Sequence, residues 1–208
     1  MLIRIFANMN NFENTDQWCE NVMVIDGDYA DSVAFNLIVN FERMLGRRIP
    51  PADLPQWIDC LALDGGLREG SHETSVVFIH DKQHARLDNF TPGNYADELH
   101  QKAFKDSLGE FAMAAYPTEE GLVEQSQFVL DVVSAACARP EVKRLMIVAD
   151  TERHYDALRQ TLRQAPDDDK RITVFAMQPL PGGNFRQEIL GYSLMAALGI
   201  KGEEIERM

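Results

Sequence analysis

Two stretches of the chain run from apolar residues straight into carboxylates: V-M-V-I-D-G-D at 22–28 and L-M-I-V-A-D-T-E at 145–152. Asp26, Asp28, Asp150 and Glu152 thus stand just past short β-branched runs, where strands are expected to end. Oxygen ligands gathered from strand ends are what a hard cation such as Mg²⁺ or Mn²⁺ takes, usually carboxylates with water. Clustered carboxylates also repel one another unless a cation or proton lies between them. Glu124, which opens the run E-Q-S-Q-F-V-L-D-V-V, is a further acid that could join them. The same residues have a second reading. Acids in the first turn of a helix are favoured by its dipole, and all four strand-end acids precede or open helical segments. Spacing alone leaves both readings open.

Other chemistry is thinner. His80 and His84, in H-D-K-Q-H, would share a face and could bind zinc if helical. The stretch lacks helical character and a further ligand, so it reads as a surface loop. His154 reads as an exposed helix residue. No G-x-S-x-G elbow, P-loop or G-x-G-x-x-G follows a strand. Gly182-Gly183-Asn184 precedes an expected helix. It is either an anion-binding turn or, more simply, a loop with Asn184 as N-cap.

The elements that must hold these residues alternate. Strands are expected at Val22–Ile25, Ser75–His80, Phe111–Tyr116, Leu145–Ala149 and Ile172–Ala176, with a further candidate at Leu2–Phe6 and an asparagine-rich loop at 8–16. Continuous apolar runs of this kind suit strands covered on both faces. Between them fall expected helices at Ala30–Leu45, Leu54–Leu63, Leu122–Ala138, Glu152–Gln164 and Phe185–Leu198. The first carries a stripe of Val33, Leu37 and Phe41, flanked by Ala34, Ile38 and Met44, with Asp28 or Asp31 as its cap. A-P-D-D-D-K at 165–170 reads as a solvated turn. Residues 81–109 are polar and irregular, with one helix near Asp97–Phe104, and read as an insert or a lid. Alternation of this kind predicts one three-layer α/β/α domain over residues 1–208 with a mostly parallel sheet. In such sheets ligands bind outside the carboxyl ends of the strands, where the four acids lie.

Composition narrows the partners. The chain has 208 residues, 33 acids against 20 bases, and a net charge of -13. That balance argues against a generally basic, duplex-binding surface. Arg43, Arg47 and Arg48, or Arg153, Arg159 and Arg163, are the local basic groups and read as solvated helix faces. Three cysteines, Cys19, Cys60 and Cys137, are widely spaced and suggest a reducing compartment, with Cys137 a core residue. No apolar run approaches the ~18 residues of a membrane span. The expected setting is cytoplasmic and away from membranes.

The order of motifs resembles a known family. V-I-D-G-D at 24–28 is similar to the first-strand motif of the PIN-like NYN domains, hydrophobic-hydrophobic-D-G-x-N, and a long helix follows in both. V-A-D-T-E at 148–152 resembles that family's S-G-D-x-D segment. E-Q-S-Q-F-V-L-D-V-V stands where the family has an acid-bearing helix, and I-T-V-F-A and the terminal helix keep the order. The resemblance extends from 22 to about 200, with 81–109 outside it. It implies a PIN-like strand order and Mg²⁺- or Mn²⁺-dependent hydrolysis of single-stranded RNA. Asp26, Asp150 and Glu152 would be metal ligands and Glu124 a further catalytic acid. Departures imply an alternative, an inactive PIN-like scaffold acting through a protein partner or as a homo-oligomer. Tyr29 replaces the motif's asparagine, and Glu152 replaces an aspartate and lacks the usual phenylalanine after it. The lysine-glycine that opens the acid-bearing helix is absent, and Gln125 falls nearer than Glu124 to the place of the family's helix acid. Asp26-Gly27-Asp28 is also similar to motif I of haloacid-dehalogenase-like phosphatases, which would make Asp26 a nucleophile and Asp28 a general acid/base. Ala30, Ala149 and His154 depart from that family's pattern.

Overall fold

The computed structural model describes residues 18–118, 124–164 and 170–206. The elements, in order, are β1 (Asn21–Asp26), α1 (Gly27–Leu45), β2 (Ala52–Asp53), α2 (Leu54–Asp64), β3 (His72–Asp81) and β4 (Phe90–Thr91). A single π-helical turn (Tyr95–Leu99) follows, then β5 (Lys102–Asp106), β6 (Gly109–Thr118), α3 (Gln125–Ala138), β7 (Arg144–Val148) and α4 (Thr151–Arg163). The chain continues through β8 (Arg171–Ala176), β9 (Arg186–Ile189), α5 (Leu190–Ala197) and α6 (Gly202–Glu206). The strand expected at Leu2–Phe6 and the loop at 8–16 lie outside the described residues.

Seven strands form one sheet in the order β5-β6-β3-β1-β7-β8-β9, and β2 pairs with β4 apart from it. Only β5 runs antiparallel to its neighbour; the other six are parallel. Counted along the chain, those six stand in the order 3-2-1-4-5-6, that of doubly wound folds. The pleat explains why their sequences are apolar without a break. Met23, Ile25, Phe78, Met146, Val148 and Phe175 face the layer of α1, α2 and α5. Val22, Val24, Val77, Ile79, Leu145, Ile147 and Val174 face the layer of α3 and α4. Each central strand is therefore buried on both sides, and the expected three-layer α/β/α architecture is what the chain forms.

Several local expectations are corrected. The first helix starts at Gly27, and its cap is Asp26, not Asp28 or Asp31: the Asp26 side chain accepts from the Tyr29 N–H. Met44 is 52% exposed, off the stripe that buries Val33 and Ala34. The segment expected to be helical near Asp97–Phe104 gives way after Leu99 to strand β5. There Phe104 sits opposite Phe111 and stacks on it at 4.8 Å. Leu87, Phe90, Tyr95 and Leu99, from the same polar third of the sequence, are buried in the core. Phe185–Leu198 is not one helix. Arg186–Ile189 pairs in parallel with Thr173–Ala176 as the last strand, and the helix begins at Leu190. Asn184 is accordingly no cap; its amide donates to Leu162 O at 3.1 Å, and Gly182-Gly183 opens no helix. Of the arginines read as solvated, Arg47 holds Glu204 through Nε and Nη2 at 2.9 and 3.0 Å. Cys137 is buried, as expected. Among the described residues, no helix is long and apolar enough to cross a membrane.

Lys170 is also unlike the solvated end of a turn. It is 8% exposed, and its ammonium donates to Arg139 O and, at 2.6 Å, to Val142 O. These are the carbonyls that follow the end of α3. Buried carbonyls stripped of a charged donor cost about 2–3 kcal/mol. Lys170→Met is expected to lower unfolding free energy by about that amount in urea titration; a variant as stable as the parent would show that the ammonium is not an anchor.

Candidate functional site

β1 and β7 lie side by side with Ile25 level with Val148. From β1 the chain winds outward to β3 and β6 on one side, and later to β7, β8 and β9 on the other. The crevice between the carboxyl ends of β1 and β7 is thus the topological switch point, the usual ligand site of a doubly wound sheet. Asp26 is the last residue of β1, and Asp150 stands two residues past β7.

Asp26 is only 8% exposed. Its Oδ1 accepts two hydrogen bonds, from the Tyr29 N–H at 3.0 Å and from Gln125 Nε2 at 2.7 Å. Its Oδ2 accepts none from the described residues. Burial pushes the Asp26 carboxyl up to about 6, and the charges of Asp28 and Asp150 add to the rise, while the Tyr29 and Gln125 bonds oppose it. Asp150 repeats the arrangement one strand over: it caps α4, accepting from the Arg153 N–H at 3.1 Å, with Arg153 Nε 3.5 Å from its Oδ2. The helix-cap reading holds for both Asp26 and Asp150. Each caps its own helix, and the two feel each other's charge across the crevice.

The remaining expected residues fall around this pair. Glu152 is exposed in the first turn of α4. Burial chiefly, then the charges of Asp150, Glu152 and Asp26, pushes the Tyr29 phenol up. The Tyr29 hydroxyl is buried without a hydrogen-bond partner. Glu124 occupies the N-cap position of α3 but makes no side-chain cap bond and is exposed; the residue that reaches Asp26 is its neighbour Gln125. Among the described residues, no three His, Cys, Asp or Glu side chains are gathered as a ready metal cage. What the crevice offers is the Oδ2 of a buried Asp26, which accepts nothing from the described residues, beside Asp150, whose Oδ2 faces Arg153 Nε. A hard divalent cation that keeps several waters would take carboxylate oxygens of this kind.

Asp28 belongs to a different set of contacts. Its Oδ2 accepts from the Asp81 N–H at 2.8 Å, and its Oδ1 pairs with His84 Nδ1 at 2.8 Å, which raises the His84 pKa. Both oxygens are engaged in joining α1 to the end of β3, which leaves the phosphatase role for Asp28 without support in the geometry. The two histidines of H-D-K-Q-H part company. His84 is exposed, but His80, expected in a surface loop, is buried in β3 and stacks on Tyr95 with ring centres 3.8 Å apart. Burial lowers the His80 pKa.

Tyr95 is the site residue that sequence reasoning missed. Its hydroxyl is buried and unpartnered, and it lies where a side chain on Gly27 would be: a Cβ there would fall 2.1 Å from the Tyr95 oxygen and 3.3 Å from Ile79 O. No sequence signal marks it, because it sits in the irregular stretch between β4 and β5.

Fold and site together define a doubly wound α/β protein with an acidic switch point. The chain belongs to the family of unknown function DUF6621, whose model matches residues 15–205. No curated protein and no solved structure matches it.

Proposed function

We propose that the chain is a divalent-metal-dependent hydrolase of the PIN-like kind that cuts phosphodiesters of single-stranded RNA. The observation that carries this reading is Asp26: a carboxyl raised first by burial and then by its acidic neighbours, with one oxygen unbonded among the described residues, at the switch point beside Asp150. Asp26 and Asp150 would hold Mg²⁺ or Mn²⁺, with Glu152 reaching in from the first turn of α4. When bound, the ion supplies charge neutralisation and a more acidic water for attack on phosphorus. The Tyr29 N–H and Gln125 Nε2 fix Asp26 through Oδ1 and so keep Oδ2 toward the open side. Glu124, exposed at the start of α3, would be the group that takes or gives a proton at the scissile group.

The test is cleavage of a short single-stranded RNA in Mn²⁺ by the parent, Asp26→Asn and Asp150→Asn. Loss of either aspartate ligand is expected to slow cleavage at least about a hundredfold. An Asp26→Asn protein that cuts as fast as the parent would remove the mechanism.

One observation favours the second reading, a catalytically inactive relative that serves as an interaction module. Gln125 places an amide on Asp26 near where the NYN domains carry an acid, so the buried carboxyl is partly satisfied without metal. The readings separate on thermal melting with Mn²⁺. A cation at about 100 times its Kd adds about 2.7 kcal/mol to the native state, several degrees at this chain length. No shift at millimolar Mn²⁺ favours the module.

A further inference from the structure

A cavity of about 550 Å³ opens at the carboxyl ends of β3 and β6, its walls including His80, Tyr95, His100 and Tyr116, with Lys82 and Ala96 among the residues lining it. This size falls within the range of small-molecule sites. Its walls are unusually aromatic. Tyr95 and His80 stack nearly parallel, at 9°, while His100 meets Tyr116 edge to face at 6.0 Å. Asn94, Asp97 and Gln101 also line it. His100 Nδ1 accepts the Ala115 N–H at 3.2 Å, which leaves Nε2 to carry the ring proton as a donor. Lys82 is exposed and contributes a cation in a chain whose net charge is -13. Aromatic walls and a fixed ring donor suit a planar ring that bears hydrogen-bond acceptors.

One side chain, Tyr95, borders both the cavity and the start of α1 beside Asp26. Tyr95 is a wall of the cavity, and its hydroxyl end occupies the space above Gly27, between Asp26 and Asp28 in sequence. Burial and then the charges of Asp28, Asp31 and Asp26 bear on that hydroxyl. Tyr95 thus stands between the cavity and Asp26. In strand order β1, β3 and β6 match one half of a doubly wound fold, yet no glycine-rich phosphate loop follows β1. Recognition there must rest on the ring.

We propose that this cavity is a nucleobase pocket that seats one base of a single-stranded RNA next to the phosphate facing Asp26 and Asp150. RNA as the source of the base rests on the hydrolase reading; binding of the base does not. Stacking on aromatic side chains is tolerant of base identity, so selectivity would come from the His100 donor.

The experiment is calorimetric titration of the full chain with AMP, CMP, GMP and UMP in chelator, so that no metal contributes. Ala96 is exposed, and Ala96→Trp would fill the cavity without touching the core; His100→Ala removes the donor. Binding of at least one mononucleotide, weakened about tenfold or more by Ala96→Trp and changed in base preference by His100→Ala, is the expected result. No binding at millimolar nucleotide by a folded protein overturns the pocket, as does binding that Ala96→Trp leaves unchanged. RNA cleavage and the Mn²⁺ melting shift are scored separately. Nucleotide binding without either would leave the pocket standing and the hydrolase fallen; Asp26-dependent cleavage without nucleotide binding would do the reverse.

Discussion

Gly27→Ala is expected to lower the stability of the protein by about 2 kcal/mol, and Tyr95→Phe to restore part of the loss. Gly27 opens α1, where alanine would ordinarily be a better helix former than glycine. Here the added methyl has no room: it would meet the Tyr95 oxygen at 2.1 Å, Tyr95 Cζ at 3.1 Å and Ile79 O at 3.3 Å. The first contact cannot be tolerated, and Tyr95 cannot simply swing away, because its ring is 2% exposed and stacked on His80. Removing the hydroxyl abolishes the worst contact, while Tyr95 Cζ at 3.1 Å and Ile79 O at 3.3 Å stay tight and must give by a few tenths of an ångström. Alone, Tyr95→Phe should cost little, since that hydroxyl is buried without a partner and its loss removes an unmet desolvation cost. A double-mutant cycle should thus show coupling of about 1 kcal/mol or more. A chain of this length gains or loses about 2–4 °C in Tm per kcal/mol, so melting curves resolve it. Additive losses, or a Gly27→Ala protein that melts with the parent, would mean that Tyr95 does not occupy that space.

This contact bears on what the sequence made legible. The strand-end acids could be read because their neighbours are central strands: Val22–Ile25 and Leu145–Val148 must be covered on both faces, so they are apolar without a break, and the first polar residue marks the rim. Order along the chain then put Asp26 and Asp150 at the switch point. The steric reason for glycine between two aspartates could not be read, since it lies in Tyr95, far along the chain in an irregular segment. Gln125 was equally hidden as a partner of Asp26, 99 residues away. The missed strands share a physical cause. In K-A-F-K-D the sole large apolar residue is Phe104, because an edge strand has little to bury. R-Q-E-I is only four residues long and runs directly into the helix at Leu190, so no break in period separates them.

Asp26→Asn should make the protein more stable above about pH 6 and no more stable near pH 4, while abolishing any response to Mn²⁺. The Asp26 carboxyl titrates at about 6 in the folded chain against 3.8 as a free group. The folded state therefore binds more protons than the unfolded state between those values. Stability falls as pH rises through that window and levels off above it, by about 3 kcal/mol at 1.36 kcal/mol per pKa unit. Asparagine has no such dependence. Its Oδ1 can keep both the Tyr29 N–H and the Gln125 amide, because both bonds end on the same oxygen of Asp26. Its Nδ2 replaces the oxygen that accepts nothing. Urea unfolding across about pH 4–8 should show the two proteins diverging by about 2–3 kcal/mol as pH rises; a constant gap would mean that burial does not raise Asp26. The same ionisation governs cation binding, since a carboxyl must lose its proton to become a ligand. If the crevice holds Mn²⁺, the stabilisation it gives the parent should fade below about pH 6 and be absent from Asp26→Asn at every pH. A carboxyl that costs the fold stability when ionised is then explained by what it binds, and a parent protein indifferent to Mn²⁺ at pH 8 would leave that cost without a use.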